Sequence, residues 1–327
     1  MNAFIKAISY YLPENVLTNE QISQEFPEWT VEKIASKIGI NQRHIAAENE
    51  TAADMGVCVA EKLFKEYQID RAKVDFLLFC TQSPDYFLPT SACVMQDKLC
   101  LPTTCGALDF NLGCSGYVYG LAIAKGLILG GIAENVLLIT SETYSKHLHQ
   151  KDKGNRTIFG DAAAATLISN KGFAKITGFS LGTDGKGAEN LIVKTGAMRN
   201  KNPKNDLTFD KNSFPKSSDF LFMDGGEIFN FTSKAVPELV ESVLKKNNLK
   251  QFEIDLFVFH QANKYMINYL RKELDIEKDK FFVYLNNVGN TVSSTIPIAL
   301  KEAMLDKAIN QGNKVLIAGF GVGYSWG

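Results

Sequence analysis

Three short stretches carry residue types able to do chemistry. The first is Gly113-Cys-Ser-Gly116, which turns from an apolar run over 107–112 into an apolar segment over 117–129. Unpaired N–H groups and the positive end of the dipole gather at the first turn of a helix. A thiol placed there is expected to ionise readily, and the thiolate is the nucleophile. The flanking glycines let a substrate approach the backbone closely. A small buried cysteine is the commoner fate of the residue type, but a cysteine between glycines at a strand-to-helix turn favours the nucleophile. The second stretch is Phe259-His-Gln-Ala-Asn263 and the third Gly289-Asn-Thr291. A histidine closing an apolar strand is often a hydrogen-bonded core residue, and an Asn between Gly and Thr is often a turn residue. Singly, neither His260 nor Asn290 would stand for chemistry.

The elements that must position them alternate. Apolar runs over 4–12, 74–81 and 136–140 read as strands, residues 162–169 are again strongly apolar, and patterned segments over 18–26, 31–38, 51–67, 91–99, 233–246 and 266–274 read as helices, which argues for an α/β fold. An apolar segment that is hydrophobic on every face, such as 117–129, must be a buried helix. The two halves repeat. Asp75-Phe-Leu-Leu-Phe-Cys-Thr-Gln82 resembles Asp255-Leu-Phe-Val-Phe-His-Gln-Ala262, and each leads through a helix and a strand to a glycine turn, a long apolar helix and a closing strand. A duplicated unit, 1–172 and 173–327, explains this order, and its pseudo-twofold axis would bring Cys114, His260 and Asn290 to one centre. Pro297 falls inside the second long helix, where a regular interior would lose about 3 kcal/mol, so a kink is expected there.

Composition is that of an ordinary globular chain, with 45% hydrophobic and 22% charged residues and a net charge of -1 over 327 residues. Nothing in it points to nucleic acid or a membrane surface, and the polar start carries no signal peptide, so a cytoplasmic location is expected. The cysteines at 58, 80, 93, 100, 105 and 114 form no Cys-x-x-Cys pair, and disulfides are not expected. The histidines at 44, 147, 149 and 260 show no zinc spacing; His147 and His149 read as part of a solvated loop. Residues 195–219 read as a long polar surface excursion.

With Gly39-Ile-Asn-Gln-Arg-His-Ile-Ala46, Phe159-Gly-Asp161 and Phe320-Gly-Val-Gly-Tyr-Ser-Trp-Gly327, these stretches resemble those of the β-ketoacyl-acyl-carrier-protein synthase III family of the thiolase superfamily, over almost the whole length. The resemblance implies an α/β fold of the five-layered αβαβα thiolase type built from two duplicated halves, a homodimer, acyl carrier protein and acyl-CoA as partners, and no metal or cofactor besides thioester substrates. It implies a decarboxylative Claisen condensation of an acyl primer with a malonyl thioester, in fatty acid or specialised acyl biosynthesis.

By that resemblance Cys114 accepts the acyl group, and His260 Nε2 and the Asn290 amide donate hydrogen bonds to the enolate oxygen. The backbone N–H groups of Cys114 and Val322 form the oxyanion hole, and Phe320 shields the site. Leu88 stands where relatives close the end of the partner's acyl pocket, and Asn263 matches a pantetheine contact. Lys33 and Lys37 occupy the spacings where relatives stack adenine between Trp and Arg, which makes Lys37 the substrate-binding candidate there. A basic stretch over 198–216, with Arg199, and the lysines Lys264 and Lys272 are candidates for docking an acidic carrier protein. A thiolase would need a second cysteine after Cys114, and a hydroxymethylglutaryl-CoA synthase a carboxylate near Gln82, for which Asp85 is the nearest candidate. A non-catalytic partner subunit would lack the cysteine. An acyltransferase that forms an ester or amide without decarboxylation is the alternative, and the intact His and Asn pair favours condensation over it.

Overall fold

Alternation within single strands shows how the layers are built. The computed structural model describes residues 2–327. In Phe76–Cys80, Leu77 and Phe79 pack with Ala52, Val59 and Leu63 on one face, while Leu78 packs with Tyr117 and Leu121 on the other. In Leu256–Phe259, Leu256 and Val258 join that same inner cluster, whereas Phe257 and Phe259 pack outward with Val236, Leu239 and Leu270. Period-2 alternation puts successive side chains on opposite faces, so each sheet is apolar on both. The result is an αβαβα sandwich. Ala52–Tyr67 and Ser91–Lys98 lie outside the first sheet, Gly225–Lys246 and Lys264–Glu273 outside the second, and Gly116–Leu129 and Thr295–Leu305 between the two. The middle layer explains a helix with no polar face.

The first sheet runs Gly106–Phe110, Phe76–Cys80, Asn135–Glu142, Ala162–Ser169, Phe4–Tyr11, Ala174–Lys175. Its first three strands are parallel and Ala162–Ser169 is antiparallel to both neighbours. In the second half Leu256–Phe259 and Val315–Ala318 pair in parallel. Helix starts follow local capping. Thr51 accepts from the Asp54 N–H at 3.1 Å while the Asp54 carboxylate accepts from the Thr51 N–H at 3.2 Å, a reciprocal box that satisfies two otherwise orphaned donors.

Three expectations need correction. Pro297 causes no interior kink, because the helix begins only at Thr295, after a 3-10 turn over Val292–Ser294; the proline lies in the first turn, where its N–H would have no intrahelical partner. The helix expected over 233–246 starts at Gly225, capped by Asp224, whose carboxylate accepts from the N–H groups of Gly226 and Glu227. His149 is not solvated. It is buried edge-on against Phe209 and Phe220, because the polar excursion folds back and seats those rings on it. No helix among the described residues is long and apolar enough to cross a membrane.

Candidate active site

Cys114 immediately precedes Ser115, the cap of Gly116–Leu129, and is buried. The segment 320–322 crosses it at van der Waals distance. A Cβ added to Gly321 would lie 2.8 Å from the Cys114 sulfur and 3.0 Å from its Cβ, so only glycine leaves the sulfur unobstructed. The backbone N–H groups of Val322 and of Cys114 itself lie close enough to the sulfur to favour its charged form.

The thiol is not depressed as the helix terminus suggested. Burial pushes Cys114 up to about 12, the nearby Glu142 carboxyl adds to the rise, and the two backbone N–H groups oppose it. The resting Cys114 side chain is a neutral thiol, so any use of it as a nucleophile would need a base.

His260 follows the strand Leu256–Phe259, tied by its own N–H to the Ala318 carbonyl at 2.7 Å. Its ring stands edge-on to Phe320, centroids 5.7 Å apart at 88°. The same run that brings Gly321 to the sulfur therefore brings Phe320 to the imidazole. Burial pulls His260 down to about 3, so the ring is neutral at ordinary pH. Its Nδ1 lies 2.7 Å from the Thr295 hydroxyl, which also lies 3.1 Å from the Val292 carbonyl. Thr295 has one proton. Both bonds are made when Nδ1–H donates to Thr295 and Thr295 donates to Val292, which leaves the lone pair on Nε2. If Thr295 turns its proton to Nδ1 instead, Nε2 carries the hydrogen.

Asn290 is held by three bonds. Its N–H donates to the Ile158 carbonyl at 2.9 Å, its carbonyl accepts from the Gly160 N–H at 3.0 Å, and its Oδ1 accepts from the Val292 N–H at 2.9 Å. With Oδ1 occupied, the amide NH2 remains as the donor. The preceding Gly289 has φ +72°, a left-handed conformation that favours glycine. Cys114, Val292, Phe159 and Phe320 belong to one buried cluster, with Val322 packed against it.

The structure thus brings Cys114, His260, Asn290, Phe320 and Val322 together, and treats the remaining candidates differently. Asn263 caps Lys264–Glu273, its Oδ1 accepting from the Met266 N–H at 2.9 Å. Lys37 ends the helix Val31–Lys37, and the Lys264 N–H bonds the Ile38 carbonyl at 2.8 Å, so these two exposed lysines are neighbours. Lys272 is exposed near the far end of the Lys264 helix, and Arg199 is exposed in the excursion. Leu88 is 80% exposed and so lines no buried pocket within its own chain.

Two residues escaped the sequence reading. Thr295 carried no motif. Glu142 lay past the expected strand end at residue 140, yet it is fully buried. It accepts from the Gln82 N–H at 3.0 Å and the Ser293 hydroxyl at 2.9 Å, joining the two halves beside Cys114. Burial pushes its carboxyl up to about 8 against those hydrogen bonds.

Residues 108–185 match the family model described as 3-oxoacyl-[acyl-carrier-protein (ACP)] synthase III, and residues 244–327 match the model of its C-terminal part. A curated relative from Clostridium perfringens, named beta-ketoacyl-[acyl-carrier-protein] synthase III, is 34% identical over 327 residues, covering 100% of this chain and 98% of the relative. A crystal structure of a 3-oxoacyl-(acyl-carrier-protein) synthase III superposes with TM-score 0.97 at 46% identity, covering 100% of this chain and 98% of the other. A 3-oxoacyl-(acyl-carrier protein) synthase from Burkholderia xenovorans gives 0.90 at 35% identity, covering 100% and 92%.

Proposed function

This chain belongs to the 3-oxoacyl-[acyl-carrier-protein] synthase III family, and we propose on that footing that it joins an acyl primer to a malonyl thioester by decarboxylative Claisen condensation through an acyl-Cys114 intermediate. The observation that carries this reading is the run Phe320–Gly321, which lies against the His260 ring and the buried Cys114 sulfur at once, with the Asn290 amide oxygen already engaged so that its NH2 is left as a donor.

In the first half-reaction Cys114 Sγ attacks the primer thioester, its proton passing to His260 Nε2 and on to the departing thiolate. The N–H groups of Cys114 and Val322 hold the developing oxyanion. In the second, carbon dioxide leaves the malonyl group and the electron pair moves onto its thioester oxygen, where His260 Nε2–H and the Asn290 amide donate. The carbon then attacks the acyl-Cys114 carbonyl, and the released thiolate takes up one proton from solvent. Nε2 must present a lone pair in the first step and a hydrogen in the second, so between the two the ring exchanges protons with solvent, Nε2 gaining one and Nδ1 releasing one. The Thr295 hydroxyl, both donor and acceptor, is hydrogen-bonded to Nδ1 in either case.

Acyl-CoA and acyl carrier protein are the proposed thioester carriers, the latter guided by Lys37 and Lys264 at the surface. A homodimer is proposed as well. Tyr86, Phe87 and Leu88 are 60%, 70% and 80% exposed, and Gly106–Phe110 is the edge strand of the first sheet with Leu108 partly exposed. An apolar edge of this kind calls for a partner, and Leu88 would then reach the partner's acyl pocket.

Single-turnover loading with an acyl-CoA, followed by peptide mapping, is expected to find the acyl group on Cys114. An Asn290→Ala enzyme should still load but release carbon dioxide from a malonyl thioester about 10²–10³ times more slowly. Label on Cys80 with none on Cys114, or equal loss of both steps in the variant, would contradict the scheme.

A further inference from the structure

Residues 39–46, one of the stretches that carry the family likeness, have no place in the scheme above. At their centre is Arg43, in the strand Gln42–Ile45, and it is wholly buried. Its guanidinium meets only neutral oxygens. One terminal nitrogen donates to the Asn19 side-chain oxygen at 2.8 Å and to the Leu17 carbonyl at 3.3 Å. The other donates to the Thr157 carbonyl, and Nε has no partner. Burial pulls Arg43 down to about 10, with the nearby Arg156 adding to the fall, which still leaves it charged at neutral pH. A buried cation without a counter-charge is costly, so its use calls for a reason in what it holds. A planar guanidinium donates from two separated nitrogens at once, which the point charge of a lysine does not.

What it holds is the seat of Asn290. The Thr157 carbonyl gripped by Arg43 is next in sequence to the Ile158 carbonyl, which accepts from the Asn290 N–H at 2.9 Å; the Asn290 carbonyl in turn accepts from the Gly160 N–H at 3.0 Å. The stem of Arg43 lies against both sides of this bridge. A Cβ added to Gly160 or to Gly289 would lie 3.1 Å from the Arg43 Cβ. The flanking backbone is fastened to the same two loops: the Asn41 N–H donates to the Asn286 carbonyl at 2.7 Å, and the His44 carbonyl accepts from the Asp161 N–H at 2.8 Å. Residues 39–46 thus form a bracket for the loops 157–161 and 286–290. Cys114 and His260 are set by other elements. The helix Gly116–Leu129 and the segment 320–322 place the sulfur, and the Ala318 carbonyl and Thr295 hydroxyl place the imidazole.

We propose that Arg43 is a positioning residue for the decarboxylation step: by tying the 157–161 loop to the strands Asn15–Thr18 and Gln42–Ile45, it holds the Asn290 amide where the enolate oxygen forms, and it takes no part in acyl loading. This rests on the condensation scheme above. Arg43 shifts neither the Cys114 thiol nor the His260 ring, so it acts through the backbone it holds and not through its charge.

The test compares Arg43→Lys, Arg43→Met and Asn290→Ala with the parent, each read well below its own Tm. Loading is followed by intact-protein mass, decarboxylation by labelled carbon dioxide, and backbone order by amide exchange. In the Arg43 variants decarboxylation is expected to slow about 10- to 100-fold, as a misplacement of ~1 Å does, while loading stays within about threefold. The Gly160 and Asn290 amides should exchange about tenfold faster or more, with those of Leu256–Phe259 unchanged. Equal slowing of both steps, or unchanged decarboxylation, would overturn the proposal. Should Asn290→Ala fail to separate the two steps, the condensation scheme is what has failed; unchanged exchange at Gly160 and Asn290 in the Arg43 variants is the separate result that refutes Arg43 as their support. The parent chain gives a reading that does not depend on any variant folding. In native-state exchange against denaturant the amides of Asn41, Gly160, Asp161 and Asn290 should open together, and earlier opening of Gly160 and Asn290 alone would overturn the bracket.

Discussion

Replacing Thr295 by valine keeps its shape and removes one hydroxyl, so it isolates the bond to His260. Thr295 and His260 are each 2% exposed, so no water takes the hydroxyl's place, and Nδ1 loses a partner at 2.7 Å. A buried group left without its hydrogen bond costs about 1–3 kcal/mol. Expressed in a transition state, that is roughly 5- to 150-fold in rate. Because the hydroxyl serves Nδ1 whether Nε2 bears the lone pair or the hydrogen, acyl loading and decarboxylation should slow together within that range. This differs from Asn290→Ala, which should spare loading. Thr295→Ser restores the hydroxyl and should recover most of both rates. Loading is read by intact-protein mass after rapid quench, and decarboxylation by release of labelled carbon dioxide. A valine variant with lowered Tm but both rates within about twofold of the parent would refute the reasoning. Packing against Phe320 alone would then suffice to orient the ring.

Three further outcomes follow from the same geometry. Gly321→Ala places a methyl 2.8 Å from the Cys114 sulfur; it should abolish acyl loading at a stability cost of about 1–3 kcal/mol, whereas Val322→Ala, which keeps the backbone N–H, should load nearly normally. Glu142 binds its proton more tightly folded, at about 8, than the ordinary 4.5, so its contribution to stability is full below pH 4.5 and is lost as pH rises through 8. Glu142→Gln should therefore gain Tm relative to the parent between pH 6 and pH 8.5 (on the order of the window that this shift spans), and parallel Tm curves would exclude the effect. Light scattering should give a dimer, and Leu88→Phe should move the primer optimum in a chain-length series toward shorter acyl groups; a monomer, or an unmoved optimum, would remove Leu88 from the pocket.

The elements that position the site were legible because the sheets are covered on both faces. Such strands read as unbroken apolar runs, as in Leu77 to Cys80 and Phe257 to Phe259, and they repeat between the halves. What stayed hidden depended on contacts between distant segments. Gly225-Gly226 looks like loop sequence until the Asp224 carboxylate is seen capping it. His149 looks solvated until residues 209 and 220 fold over it. Thr295 and Glu142 act through partners 35 and 151 residues away, and no local spacing announces such pairs.

The state of the thiol shows where local reasoning gives way to tertiary structure. A helix terminus contributes about 0.3–1 kcal/mol to a charge beside it, up to about 2 when partly buried, which is at most about 1.5 pKa units. Full burial moves a thiol up by as much as 3–5 units, and Cys114 is buried, rising from 9.0 to about 12. The larger effect wins, so the resting sulfur keeps its proton and is protected from adventitious oxidation, which follows thiolate character and exposure. In the mechanism proposed above, reactivity then arises when a thioester is in place: His260 would take the proton as the carbonyl oxygen begins to draw on the Val322 and Cys114 N–H groups. The stretch Phe320–Gly321, by packing on imidazole and sulfur at once, ties the two events to one piece of backbone.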